Sequence, residues 1–196
     1  MTLRAFVCVC VVLGLQAPLS DGKLHMVIEF TRHGDRTPIW TFPTLQQTVS
    51  EWWQGWGQLT PTGIKQHFEL GQRLRAKYGP DGAGLLSSSY KRNEVWVRST
   101  DIDRTLMSAQ AQMAGLFPPG TAQQTSSLTY PTAENGLPYG WQAVPIHTVP
   151  VEDDLLLVPW KGCRAFAKAM EDRKAEPAWT STERQNQAML AALAEV

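Results

Sequence analysis

Cysteine is scarce in these 196 residues, and two of the three, Cys8 and Cys10, fall within one apolar run near the start. No disulfide framework or cysteine metal clip therefore organises the chain. A charge excess is also missing: 18 basic residues balance 18 acidic ones, so no overall field draws the protein to nucleic acid or to an anionic membrane. The glycine-lysine pattern of a phosphate-binding P-loop is absent. So is any cluster of metal ligands at suitable spacing. Cys163 lacks the loop and downstream arginine that a cysteine phosphatase needs. There is no internal repeat or low-complexity tract, and no apolar run long enough to span a bilayer comfortably.

What is present begins with residues 1–22, where Arg4 precedes the short run "AFVCVCVVLGL" and a small-residue stretch, "QAPLSDG". This reads as a secretory signal peptide, with cleavage after Gly22 and Ser20 at the other small-residue position. Cys8 and Cys10 would leave with it. Cys163 is then the odd thiol of a chain bound for an oxidising compartment, either lacking its partner in this sequence or simply buried.

Beyond the signal, "KLHMVIEF" predicts a strand of a covered sheet, ended by the polar cluster that starts at Thr31. Residues 41–58 read as a packed, Trp-rich loop. A helix opens next, with Thr60 as N-cap and Pro61 at its first position. Its apolar stripe is Ile64, Phe68, Leu74 and Tyr78, and Gly79-Pro80 is its stop. "NEVWVRST" predicts a second strand in which Val95 and Val97 alternate with Trp96 and Arg98. It turns into a helix capped by Thr100 or Asp101, with Leu106, Met113 and Leu116 inward and Pro118-Pro119-Gly120 at its end. Residues 121–140 read as loop and "WQAVPIHTVP" as a third strand at an edge. A helix is expected from Cys163, and a last one from a Ser/Thr cap in "TSTERQNQAMLAALAEV". Strands alternating with helices argue a three-layer α/β domain.

The chemistry gathers where the first two strands end. "FTRHGDRTP" places Arg32, His33, Asp35 and Arg36 together, and two guanidiniums four apart around an imidazole would repel unless an anion sat among them. Ligands of open α/β sheets bind outside the carboxyl ends of the strands, so the second cluster, with Asp101, Asp103 and Arg104, faces the same edge. Arg32, Arg36 and Arg104 supply planar forks matched to phosphate oxygens. The neutral imidazole of His33 can attack phosphorus and carry the phosphoryl group to water. The surrounding cations favour that neutral form and stabilise charge on the transferring group.

"RHGDRTP" resembles the signature of the histidine acid phosphatases within the histidine phosphatase superfamily, clade 2, and "VWVRSTDIDRTLMSAQAQMAGLFPP" is similar to their second characteristic segment. "GQLTPTGIKQHFELGQRLR" and "PIHTVPVEDDLL" resemble further stretches, so the likeness runs from about residue 24 to 165. It is strongest to the prostatic, lysosomal and testicular group. The resemblance implies a three-layer α/β/α fold of the phosphoglycerate mutase type, with residues 23–150 as the N-terminal part of its core and 151–196 as the start of a helical cap. It further implies His33 as the phosphorylated nucleophile, and Arg32, Arg36 and Arg104 as the phosphate-binding residues. A monoesterase needing no metal or cofactor, working at acid pH in the lysosome or outside the cell, often as a homodimer, is also implied. Asp35 is expected to orient an arginine, and Trp141 and His147 are candidates for a subunit contact. Family members carry a late His-Asp pair whose aspartate protonates the leaving alcohol; no histidine here is followed by aspartate. The family's chains are also longer, so the expectation is the N-terminal half of such an enzyme, with impaired turnover. The alternative is a short form that binds phosphorylated ligands or a full-length subunit without turnover.

Overall fold

A computed structural model describes residues 22–40, 49–52, 54–121 and 137–194. The signal-peptide reading, except for Gly22, and parts of both expected loops lie outside those residues. The central unit is a pair of packed helices, α1 (Pro61–Tyr78) and α2 (Asp103–Leu116), with extended segments draped over them. After them come α3 (Pro159–Gly162), α4 (Arg164–Ala175), α5 (Pro177–Gln185) and α6 (Gln187–Ala194).

Helix α1 starts where its sequence signals put it. The Thr60 side chain accepts from the Gly63 amide, Pro61 fills the first position, and the chain stops at Gly79. Its buried stripe is a different one from that expected: Gly63, His67 and Gly71 are enclosed, while Ile64 is exposed. The reason is close approach. A methyl group on Gly71 would lie 2.0 Å from the Gln112 carbonyl oxygen, and one on Gly115 would lie 2.0 Å from that of Phe68. The two helices therefore cross backbone to backbone through glycines, and the larger apolar side chains are displaced to the flanks. One flank is the core, where Met113, Leu116 and Phe117 are buried against Leu74, Leu86, Tyr90, Val95, Val97 and Val144.

Helix α2 begins later than predicted. Its N-cap is Ile102, with no side-chain cap, because the Thr100 hydroxyl is engaged with Thr105 at 2.7 Å and Asp101 stays exposed. Segment 95–99 alternates as expected, Val95 and Val97 inward and Trp96 outward. It pairs in parallel with His147 through Ser99 N to His147 O (2.9 Å) and His147 N to Val97 O (3.0 Å). Among the described residues the β-pairing consists of this bridge and one antiparallel bridge, Arg36 with Leu59.

Residues 23–30, expected as a covered strand, carry no β-pairing among the described residues. Met26, Ile28 and Phe30 are 70%, 68% and 76% exposed. The expected last helix also changes. It begins at Pro177 after Glu176 with no side-chain cap, and breaks at Asn186 into α5 and α6. Proline at the first helical position overrides the Ser/Thr capping signal that follows it. Cys163 is a free, half-buried thiol at the N-cap of α4.

One ion pair that the motif reading did not single out holds segment 151–158 against the parallel bridge. Asp154, 1% exposed, accepts from Arg98 at 2.6 Å and from the Leu157 amide at 2.9 Å.

Candidate active site

The loop after the first extended segment is held from two sides. From α1, Gly63 packs directly on the loop: a methyl group on Gly34 would lie 2.4 Å from the Gly63 carbonyl oxygen, and one on Gly63 would lie 2.2 Å from that of Asp35. From α2, the hydroxyl of buried Ser108 accepts from the Gly34 amide at 3.1 Å and donates to the Arg104 carbonyl at 2.7 Å. Farther along, Thr37 is anchored by its amide to Gln58 O (2.9 Å) and by its hydroxyl to Gly55 O (2.8 Å). Residues 34–37 are thus clamped, and the side chains between them emerge from a rigid base.

His33 is half-buried, and its Nδ1 lies 2.7 Å from the Gly34 carbonyl oxygen. A carbonyl only accepts, so Nδ1 carries the proton and Nε2 keeps its lone pair. The imidazole's proton affinity is held below the usual value chiefly by desolvation, then by the positive charges of Arg104, Arg32 and Arg36. The Gly34 carbonyl opposes this. Arg104 is depressed in turn by burial, then by Arg36 and Arg32. These mutual effects put one imidazole and three guanidiniums within electrostatic reach of each other.

The guanidiniums are only partly used by the protein. Arg36 donates to the Thr37 carbonyl at 2.8 Å and Arg104 to the Gly57 carbonyl at 3.3 Å, and the Nε atom of each is buried without a protein partner. No acidic side chain is ion-paired with either among the described residues. Asp35, expected to orient an arginine, instead accepts from the Thr60 hydroxyl at 2.5 Å while its amide donates to Gln66 at 2.8 Å. It ties the loop to the start of α1. Asp101 and Asp103 are exposed. Concentrated cations with spare donors and a nucleophilic nitrogen beside them can hold a tetrahedral anion and attack it.

Sequence reasoning did not find Ser108 or Gln112, although the signal is visible afterwards. Arg104, Ser108 and Gln112 recur every four residues as a polar stripe along α2. Trp141 and His147 are exposed, and the His147 ring stacks on Trp96 with centroids 5.8 Å apart. Among the described residues no group of three His, Cys, Asp or Glu could hold a metal ion.

The sequence profile of the histidine phosphatase superfamily, branch 2, matches residues 23–195. The chain belongs to that superfamily. Its class is therefore α/β, with the paired segments described above too short to draw the sheet. Lysosomal acid phosphatase of Xenopus laevis is 46% identical over 160 residues, covering 80% of this chain and 34% of that protein. Human lysosomal acid phosphatase is 42% identical over 170 residues, covering 86% and 37%. Bovine prostatic acid phosphatase is 48% identical over 151 residues, covering 76% and 35%. The chain thus spans about a third of the length of these histidine phosphatase relatives. No helix among the described residues is long and apolar enough to cross a membrane.

Proposed function

We propose that this chain carries the phosphate-binding and nucleophilic half of an acid phosphatase acting on phosphate monoesters. What supports the reading is that, beyond desolvation, Arg104, Arg32 and Arg36 each lower the proton affinity of His33, whose Nδ1 lies 2.7 Å from the Gly34 carbonyl oxygen and leaves Nε2 with the lone pair. The arginines bind the phosphoryl oxygens, and Nε2 attacks phosphorus as the ester oxygen leaves, giving a phosphohistidine. Water then attacks that phosphorus, releasing inorganic phosphate and restoring the imidazole. Depressed proton affinity at His33 keeps the nucleophile neutral further into the acid range, and the three cations offset the charge that gathers on the transferring group.

The fold that suits this reading is the three-layer α/β/α arrangement, with residues 23–150 in the core and the helices of 151–196 as the start of a cap. Residues 1–22 would direct the chain into the secretory pathway, toward lysosome or exterior. The resemblance favours a homodimer as the assembly.

One observation favours a second reading, capture of a phosphorylated ligand without turnover. No histidine among these 196 residues is followed by aspartate, the pair to which the family resemblance assigns the leaving-group proton. General acid assistance is typically worth about a hundred- to ten-thousandfold. Incubating the protein with an aryl phosphate at about pH 5 separates the two. Sustained release of the phenol supports the enzyme, a single burst with phosphohistidine supports a nucleophile lacking its acid, and binding without either supports capture alone. A labelled adduct on any residue other than His33 overturns the assignment.

A further inference from the structure

We propose that Ser108 is a positioning residue for the candidate site: one buried hydroxyl, bonded to backbone beside the nucleophile and beside a phosphate-binding arginine, sets how far His33 stands from Arg104. Ser108 lies on α2 and is 2% exposed. Its Oγ accepts from the Gly34 amide at 3.1 Å and donates to the Arg104 carbonyl at 2.7 Å. Naming these residues nucleophile and phosphate ligand rests on the phosphate reading, whereas the bridge between them does not.

The direction of both bonds is fixed by what the partners can do. A backbone amide only donates and a backbone carbonyl only accepts, so the hydroxyl hydrogen points at Arg104 and a lone pair faces Gly34. No side-chain flip, tautomer or ionisation alters that. The Gly34 amide belongs to the peptide that leaves His33, and the carbonyl belongs to Arg104 itself. Among the described residues no other hydrogen bond joins α2 to residues 31–37. The other polar side chains of the stripe go elsewhere, Arg104 to Gly57 and Gln112 to Glu29 and His67. On its far side Gly34 rests on the backbone of Gly63. The loop is thus gripped by contact from α1 and by this hydroxyl from α2.

A serine on a buried helix face gives up apolar packing and back-bonds to its own helix without strengthening it. Its gain lies in the second bond, which carries the register of α2 into the loop. Without the hydroxyl the Gly34 amide loses its partner, and the His33 peptide can shift along α1 away from Arg104. The effect has an electrical readout. Desolvation lowers the proton affinity of His33 most, the Gly34 carbonyl opposes it, and the charges of Arg104, Arg32 and Arg36 lower it further. The Arg104 share depends on its distance from the ring, so it reports the positioning without any phosphate present.

A double-mutant cycle read by nuclear magnetic resonance titration of the His33 ring, in phosphate-free buffer, tests the proposal. Arg104→Ala should raise the His33 midpoint in the otherwise unmodified chain. In Ser108→Ala, where loop and helix are untied, the same replacement should raise it less. Ser108→Cys fills the space but hydrogen-bonds weakly, so it should follow Ser108→Ala and exclude lost bulk as the cause. An undiminished rise in either variant overturns the proposal. Inorganic phosphate should bind roughly three- to tenfold more weakly to Ser108→Ala, the range of one hydrogen bond; unchanged affinity there, with Arg104→Ala weakened, also overturns the positioning role. Unchanged phosphate affinity in both Arg104→Ala and Arg36→Ala, with the His33 cycle as expected, would instead sink the phosphate reading and leave the bridge standing.

Discussion

Replacing Arg104 by alanine should weaken the site and spare the fold, and this divergence is what separates a ligand-binding cation from a structural one. The guanidinium makes one long bond to the Gly57 carbonyl, 3.3 Å, has a buried Nε without a protein partner, and is crowded by Arg36 and Arg32. Removing it forfeits a weak bond and relieves like-charge repulsion, so the stability of the ligand-free protein should change by less than about 1 kcal/mol. With phosphate bound the sign reverses, because a charged hydrogen bond worth about 1.5–3 kcal/mol is lost, a factor of roughly 10 to 150 in affinity. At a phosphate concentration of about 100 times the wild-type Kd, linkage stabilises the wild type by about 2.7 kcal/mol. A variant binding about 30-fold more weakly would gain only about 0.9 kcal/mol at that concentration. Urea unfolding followed across a phosphate titration measures both quantities. Arg104→Lys should fall between, since it keeps a charge and loses the fork. Equal phosphate-induced stabilisation in wild type and Arg104→Ala would refute the reasoning, as would a large loss of stability without phosphate.

Three further outcomes are expected. The proton affinity of His33 is depressed below the usual 6.5 in the folded chain, so its contribution to stability is present above that value and lost as pH falls through the folded pKa. In phosphate-free buffer His33→Asn should flatten the loss of urea midpoint across that window, and an unchanged slope would count against the cationic nest. Gly71→Ala drives a methyl group to 2.0 Å from the Gln112 carbonyl oxygen. Overpacking against rigid backbone costs about 3 kcal/mol, against a helix-propensity gain of about 1. The net of about 2 kcal/mol should lower Tm by roughly 4–8 °C, while Gln72→Ala on the exposed face stays near neutral; equal melting of the two would refute the close crossing. Asp154→Ala strands the Arg98 guanidinium, and because that side chain is 21% exposed the cost should lie at the low end for buried pairs, about 3 kcal/mol. Arg98→Met added to it should recover part of the loss in a double-mutant cycle, and simple additivity would show that the pair is not coupled.

Local chemistry was legible in the residues themselves. Thr60 and Pro61 start α1 because a hydroxyl cap and a missing amide hydrogen act within one turn, whatever surrounds them. Val95 and Val97 turned inward against Trp96 because alternation is a property of extended backbone. The crowding of Arg32, His33 and Arg36 is likewise visible within five residues, as is the implied anion. Tertiary packing decided the rest. Whether Ile64 or Gly63 faces inward depended on how closely the 34–35 loop and α2 could approach, and the backbone contacts of Gly63 and Gly71 settled that in favour of the glycines. Asp35 went to Thr60 rather than to an arginine, since the loop folds back onto the start of α1. Ser108, Gln112 and Asp154 acquired their importance from partners 74, 83 and 56 positions away in the chain. Sequence alone determined which groups carry charge, cap and nucleophile, because those are properties of side chains and their near neighbours. Only the folded chain decided which of them meet, because contacts across such distances depend on the crossing of two helices that no local pattern encodes.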